Sequence, residues 1–175
     1  DIDTKPCIEK MTTTLDIDLQ FGVVSGVYFR VDDDEYKLAD YKDLVLEYKE
    51  KGFEMGLHTI CYTEDDYFKK FKEETDKFTD EVGFAPKSFT VHGLGKHRLQ
   101  VRMKFQDEIL YRLQEFGYEF TDCNHSIREY RYVIEDCHFD AQKKQRFIYN
   151  DFFTLPGFFH NKDNYLILTH PIYWQ

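Results

Sequence analysis

Three short apolar runs in this sequence finish on a histidine: "GFEMGLH" on His58, "KSFTVH" on His92 and "NYLILTH" on His170. Imidazole ligates divalent metals as the neutral base and moves protons near neutral pH, so these are positions where chemistry is open to the chain. Each has a plainer reading when taken alone. A lone His58 is more often a hydrogen-bonded structural residue than a ligand, His92 before Gly93 can be a turn residue donating to a carbonyl, and His170 can cap a strand end before Pro171. What separates the readings is whether positions so far apart in the chain meet.

The elements implied by periodicity say how they would. Ile8, Met11, Leu15 and Leu19 recur at helical spacing between Pro6 and Gln20, and a helix is favoured there over the strand-like alternation of "LDIDLQF". "FGVVSGVYFRV" reads as a strand, "DDDEY" as a turn into a helix over Leu38–Glu50 stopped by Gly52, and the segment ending at His58 as the next strand. Tyr67, Phe68, Phe71, Thr75 and Phe78 mark one face of a helix closed by Gly83; "KSFTVHG" is a strand and Met103–Phe116 a helix ending at Gly117. "YEFTDCN", a segment through Tyr130–Ile134, "RFIYNDFF" and the apolar "NYLILTHP" complete the series. Strands and helices in alternation predict an α/β fold with a parallel sheet, open or closed, and helices outside it. In such folds the carboxyl ends of the strands share one face, where strand-end histidines converge.

Composition narrows the function. A chain of 175 residues with 42% hydrophobic residues can bury a sizeable core, and with no linker, repeat or low-complexity tract it is expected to be one soluble domain over residues 1–175. A net charge of −10 opposes the counterion release that drives binding to polyanions, so nucleic acid and anionic membrane are not expected partners. No run approaches the roughly 18 apolar residues of a membrane span, and nothing at the start resembles a signal peptide. Cys7, Cys61, Cys123 and Cys137 form no C-x-x-C pair, which favours thiols of a reducing compartment and a cytoplasmic location. Dinucleotide-binding, phosphate-loop and serine-hydrolase signatures are all missing. The acidic run Asp32–Glu35 lacks the glycine and terminal glutamate of a calcium loop and reads as a solvated turn. Phe152, Phe153, Phe158, Phe159, Tyr173 and Trp174 read as core, with one or two available to stack on a sugar.

Several fragments, in order along nearly the whole chain, resemble the polysaccharide deacetylase, or NodB-type, family of metal-dependent de-N-acetylases. "DIDTKP" is similar to the family's aspartate pair, "FGVVSGVYFR" to the following "G-V-x-A-T-F-F", "GFEMGLHT" to the second motif up to its first histidine, and "YLILTHPIYW" to the hydrophobic strand ending Leu-x-His. The resemblance implies an irregular (β/α) barrel and a divalent ion, zinc first with nickel or cobalt as alternatives. Two departures touch the implied site: Tyr62 stands where the second motif has its distal histidine, and "FTVHG" replaces the arginine-containing third motif. Branches with a "GLH" second motif and an "HG" third motif share this pattern.

By motif position the resemblance makes Asp3, His58 and His92 the metal ligands, with His92 replacing the missing histidine, Asp1 the base and His170 the acid. Asp1 and Asp3, two apart on an extended segment, start on the same face; their plainer reading is a solvated terminus. Arg30 is a stand-in for the missing arginine, and Asp151 a residue that orients His170 or lines the substrate pocket. His97, His125, His138 and His160 read as surface or pocket-rim residues, with His125 the reserve ligand. The strand of the first motif should precede Asp1, so residues upstream are expected to be missing from this sequence. The implied substrate is an N-acetylated carbohydrate. The alternatives are a catalytically silent relative acting as a carbohydrate-binding or scaffold module, and a related C–N hydrolase acting on a non-sugar amide. Oligomeric state is not legible.

Overall fold

The computed structural model describes residues 1–31, 34–94 and 96–121, together with the backbone of two later strands, Tyr132–Glu135 and Tyr165–Leu168. At the start of the chain helical spacing prevails over alternation. Helix α1 (Lys5–Gln20) begins with Pro6 in its first turn and buries Cys7, Ile8, Met11 and Leu15 along one stripe. It ends at Phe21 and Gly22, whose φ of +68° is a left-handed conformation that favours glycine.

The strand expected from Phe21 to Val31 is shorter. Strand β1 covers only Gly26–Phe29, because the Val23 N–H is taken by the Asp18 carbonyl as the chain leaves α1, and Val23 and Val24 stay exposed. A 3₁₀ turn (Leu38–Tyr41) leads into α2 (Lys42–Glu50), and Gly52 at φ +100° follows. Strand β2 (Glu54–Thr59) carries the opening histidine. Helix α3 (Tyr67–Val82) is capped by the Asp66 carboxylate accepting the Lys69 N–H, buries Phe71, Glu74, Phe78 and Val82, and closes at Gly83. Strand β3 (Ser88–Val91) follows.

The helix expected over Met103–Phe116 is displaced and broken. Helix α4 runs Leu99–Ile109, and the chain re-forms as a 3₁₀ turn over Leu113–Phe116 before Gly117. The aromatic packing accounts for the break: Phe105 from α4 and Phe116 from the 3₁₀ turn both pack on Phe71, at ring-centroid distances of 5.3 Å and 5.3 Å. A two-residue strand β4 (Phe120–Thr121) follows, and strands β5 (Tyr132–Glu135) and β6 (Tyr165–Leu168) pair with each other in parallel.

The main sheet is α/β in character, with strand order β1-β2-β3-β4 and every pairing parallel. Among the described strands of this sheet, order in space follows order in sequence, without the reversal that marks a doubly wound sheet. Ile2 adds a parallel bridge to Phe29 on the side of β1 away from β2. Register gives the two faces opposite characters, since neighbouring strands in register turn paired side chains the same way. Val27, Phe29, Met55, Leu57 and Phe89 join Phe71, Phe78 and Phe105 of the helices in the apolar core. The opposite face carries Tyr28, Gly56, His58, Ser88 and Thr90, polar or without a side chain, yet Gly56, His58, Ser88 and Thr90 are buried. Gly56 is needed there: a Cβ would stand 2.5 Å from the Tyr28 ring and 2.7 Å from the Ser88 carbonyl oxygen. No described helix is long and apolar enough to cross a membrane.

Candidate metal centre

The polar face ends, at the carboxyl edge of the strands, in three side chains from three separate segments. Ile2 is buried in the core and its N–H donates to the Tyr28 carbonyl at 2.8 Å, so its neighbours Asp1 and Asp3 turn to the other face. Tyr36 holds that segment by donating to the Ile2 carbonyl at 2.9 Å, and Arg30 Nη1 donates to the Asp3 carbonyl at 3.4 Å. His58 sits near the end of β2, and its register partner on β3 is Thr90. His92 lies one residue past β3, where its N–H donates to the Thr59 carbonyl at 2.9 Å and continues the ladder; it therefore turns toward the face of Thr90.

Three atoms meet there. Asp3 Oδ1 is 3.0 Å from His58 Nε2 and 3.0 Å from His92 Nδ1, and the two ring nitrogens are 3.0 Å apart. The imidazoles meet edge to face, with centroids 5.0 Å apart and planes at 88°. Donors bound to one divalent ion at about 2.0–2.2 Å stand about 3–3.5 Å from one another, so this triangle fits a shared cation. Among the described residues it is the group of histidine, cysteine and carboxylate donors that does so. Two imidazoles and one carboxylate are also the donor set that leaves positions open for water and substrate.

Burial enforces the ligating form of His58. The ring is 3% exposed, and desolvation pushes its pKa down to about 4, against the Asp3 carboxylate, which favours the charged form. At neutral pH the imidazole is the neutral base that a metal requires. Asp1 completes the surroundings: its Oδ2 is 3.6 Å from His58 Nε2, and its Oδ1 accepts from the Thr90 hydroxyl at 3.2 Å.

Tyr62, which the sequence resemblance sets at the distal histidine's position, has its hydroxyl engaged by main-chain groups. It is fully buried in a 3₁₀ turn (Cys61–Thr63) after β2, donates to the His92 carbonyl at 2.8 Å and accepts the Leu94 N–H at 3.1 Å. Burial pushes its phenol pKa up, so it remains a hydroxyl. On the opposite side of β2, Thr59 donates to the buried Glu74 carboxylate of α3 and accepts the Cys61 N–H at 3.1 Å, which shapes the turn after His58.

The structure thus gathers Asp1, Asp3, His58 and His92, with Arg30 beside them on the Asp3 backbone. His97 is exposed in the turn before α4. His170, Asp151, His125, His138, His160 and the aromatics from Phe152 to Trp174 lie outside the described residues. Sequence reasoning missed Thr90, Tyr36 and the buttress formed by Tyr62. Thr90 alone had a signal, since it stands two residues before His92 and so on the same face of a strand. No protein-family model, curated protein or solved structure matches this chain.

Proposed function

We propose that Asp3, His58 and His92 hold one divalent cation, zinc first and nickel or cobalt as alternatives, and that the protein is a metal-dependent hydrolase that removes the acetyl group from an N-acetylated sugar or glycan. The observation that supports the reading is the 3.0 Å triangle of Asp3 Oδ1, His58 Nε2 and His92 Nδ1. Sequential parallel strands with the site at their carboxyl edge are compatible with a closed (β/α) barrel, which we include in the proposal.

A divalent ion at such a site polarises an amide carbonyl and lowers the pKa of a water molecule. The chain's own residues do the rest. Asp1 turns Oδ2 toward the triangle, where a carboxylate takes the proton of an attacking water. Asp3 contributes the negative charge that offsets the cation, and Arg30 steadies its backbone. From the resemblance, His170 would be the acid that protonates the departing amine, and Asp151 would orient it or line the substrate pocket; both lie outside the described residues. Tyr62 holds the His92 main chain so that Nδ1 keeps its place.

Metal analysis of the full chain together with acetate release from N-acetylated chito-oligosaccharides tests the reading. The expected result is one divalent ion per chain, lost on His58→Ala or His92→Ala, and acetate release abolished by His170→Ala with the metal retained. A metal-free protein that binds the oligosaccharides and releases nothing would instead make it a carbohydrate-binding module. Metal-dependent hydrolysis of simple amides without action on the sugars would make it a C–N hydrolase of another class.

A further inference from the structure

Thr90 touches two groups on which the proposed centre depends. Its Oγ1 lies 2.5 Å from His58 Nδ1 and donates to Asp1 Oδ1 at 3.2 Å, and both Thr90 and His58 are buried. A threonine hydroxyl has one proton to give, and an ionised carboxylate has none. Both contacts are made together in one arrangement: His58 Nδ1–H donates to Oγ1, and the Oγ1 proton goes to Asp1. Neutral His58 then carries its proton on Nδ1, and Nε2, at 3.0 Å from Asp3 Oδ1 and from His92 Nδ1, presents a lone pair. The opposite tautomer would aim an N–H into the triangle, and a hydroxyl turned to donate to Nδ1 would give up Asp1.

We propose that Thr90 is a positioning residue. Using Asp1 as its acceptor, it selects the Nδ1–H tautomer of His58 so that Nε2 faces the cation, and it turns the other Asp1 oxygen toward the same point. The inference rests on the metal-binding reading above and adds a role to it. Asp1 thereby acts in two ways, as the anchor of the relay through Oδ1 and as the base through Oδ2, which lies 3.6 Å from His58 Nε2. The sheet supplies the placement, because His58 and Thr90 are register partners on adjacent parallel strands. A valine would fill the same volume with the same strand preference and would lack only the hydroxyl.

Cobalt(II) titration of the full chain, followed by its visible absorption and by competition with a chelator, tests this on wild type, Thr90→Val, Thr90→Ser and His58→Ala. Loss of the partner that orients a metal-ligating histidine weakens binding by about 10- to 100-fold. That loss, with a changed cobalt spectrum, is expected for Thr90→Val, while Thr90→Ser restores affinity and spectrum. The metal-free melting temperatures of the two variants separate a tautomer effect from loss of packing. If Thr90→Val fails to fold, Asp1→Ala, which removes the acceptor of the Thr90 hydroxyl, carries the expectation of weaker cobalt binding. Wild-type affinity in Thr90→Val, or in Asp1→Ala where that variant is needed, overturns the relay and leaves the metal site standing. A wild-type chain that takes up no cobalt, or a His58→Ala chain that binds it undiminished, overturns the metal reading and the relay with it.

Discussion

The Tyr62 hydroxyl donates to the main-chain carbonyl of His92 at 2.8 Å, so Tyr62 supports one of the proposed ligands through its backbone. The same oxygen accepts the Leu94 N–H, which pins the segment leaving β3 from both sides of Gly93. The fully buried phenol thus spends its proton on the His92 carbonyl and accepts from the Leu94 N–H.

Tyr62→Phe keeps the ring and removes both bonds. The His92 carbonyl and the Leu94 N–H lose a partner, at a cost of about 1–3 kcal/mol. Urea unfolding of the metal-free protein should show that loss, and metal should dissociate faster from the variant. An unchanged midpoint together with an unchanged dissociation rate would mean that the buttress is idle.

Stability of the metal-free chain should depend on pH through His58. Its folded pKa is lowered to about 4 by burial, below the ordinary imidazole value of 6.5. Between these values the unfolded chain binds the proton and the folded chain does not, so stability falls as pH drops from about 6.5 to about 4 and no further below that. The loss from this group is on the order of 3 kcal/mol. Chelator-treated wild type and His58→Gln, unfolded in urea across this range, should differ in slope, with the variant flatter.

Gly56 allows the inward face to close. In Gly56→Ala the new methyl meets both the Tyr28 ring and the Ser88 carbonyl oxygen, and overpacking of this kind costs about 1–3 kcal/mol. Adding Tyr28→Ser to this variant should recover only part of the melting temperature, because the Ser88 contact is main chain. Full recovery would put the whole effect on the ring.

Glu74 holds the turn that follows His58. Glu74→Gln keeps an acceptor for the Thr59 hydroxyl and should change stability little. Glu74→Ala leaves that buried donor without its acceptor and opens a cavity under β2, for a loss of about 1–3 kcal/mol or more. Denaturant midpoints of the two variants should separate by that amount, and metal affinity should fall only in the alanine variant.

Sequence by itself determined the alternation of strands and helices, the stripe of α1 and the positions of His58 and His92 at strand ends. Those features are local: helix and strand periods, and glycine stops such as Gly52, Gly83 and Gly117, are written in neighbouring residues. The lengths of β1 and α4 were not local. The first is set by the Val23 N–H bonding back to Asp18, and the second by Phe105 and Phe116 both reaching Phe71. The spacing of the donor triangle, the partnership of Thr90 with His58 and Asp1, and the turning of Tyr62 onto His92 were decided only by tertiary structure. Each depends on the register between parallel strands, and register follows from how side chains pack across a sheet rather than from the order of residues within any one strand.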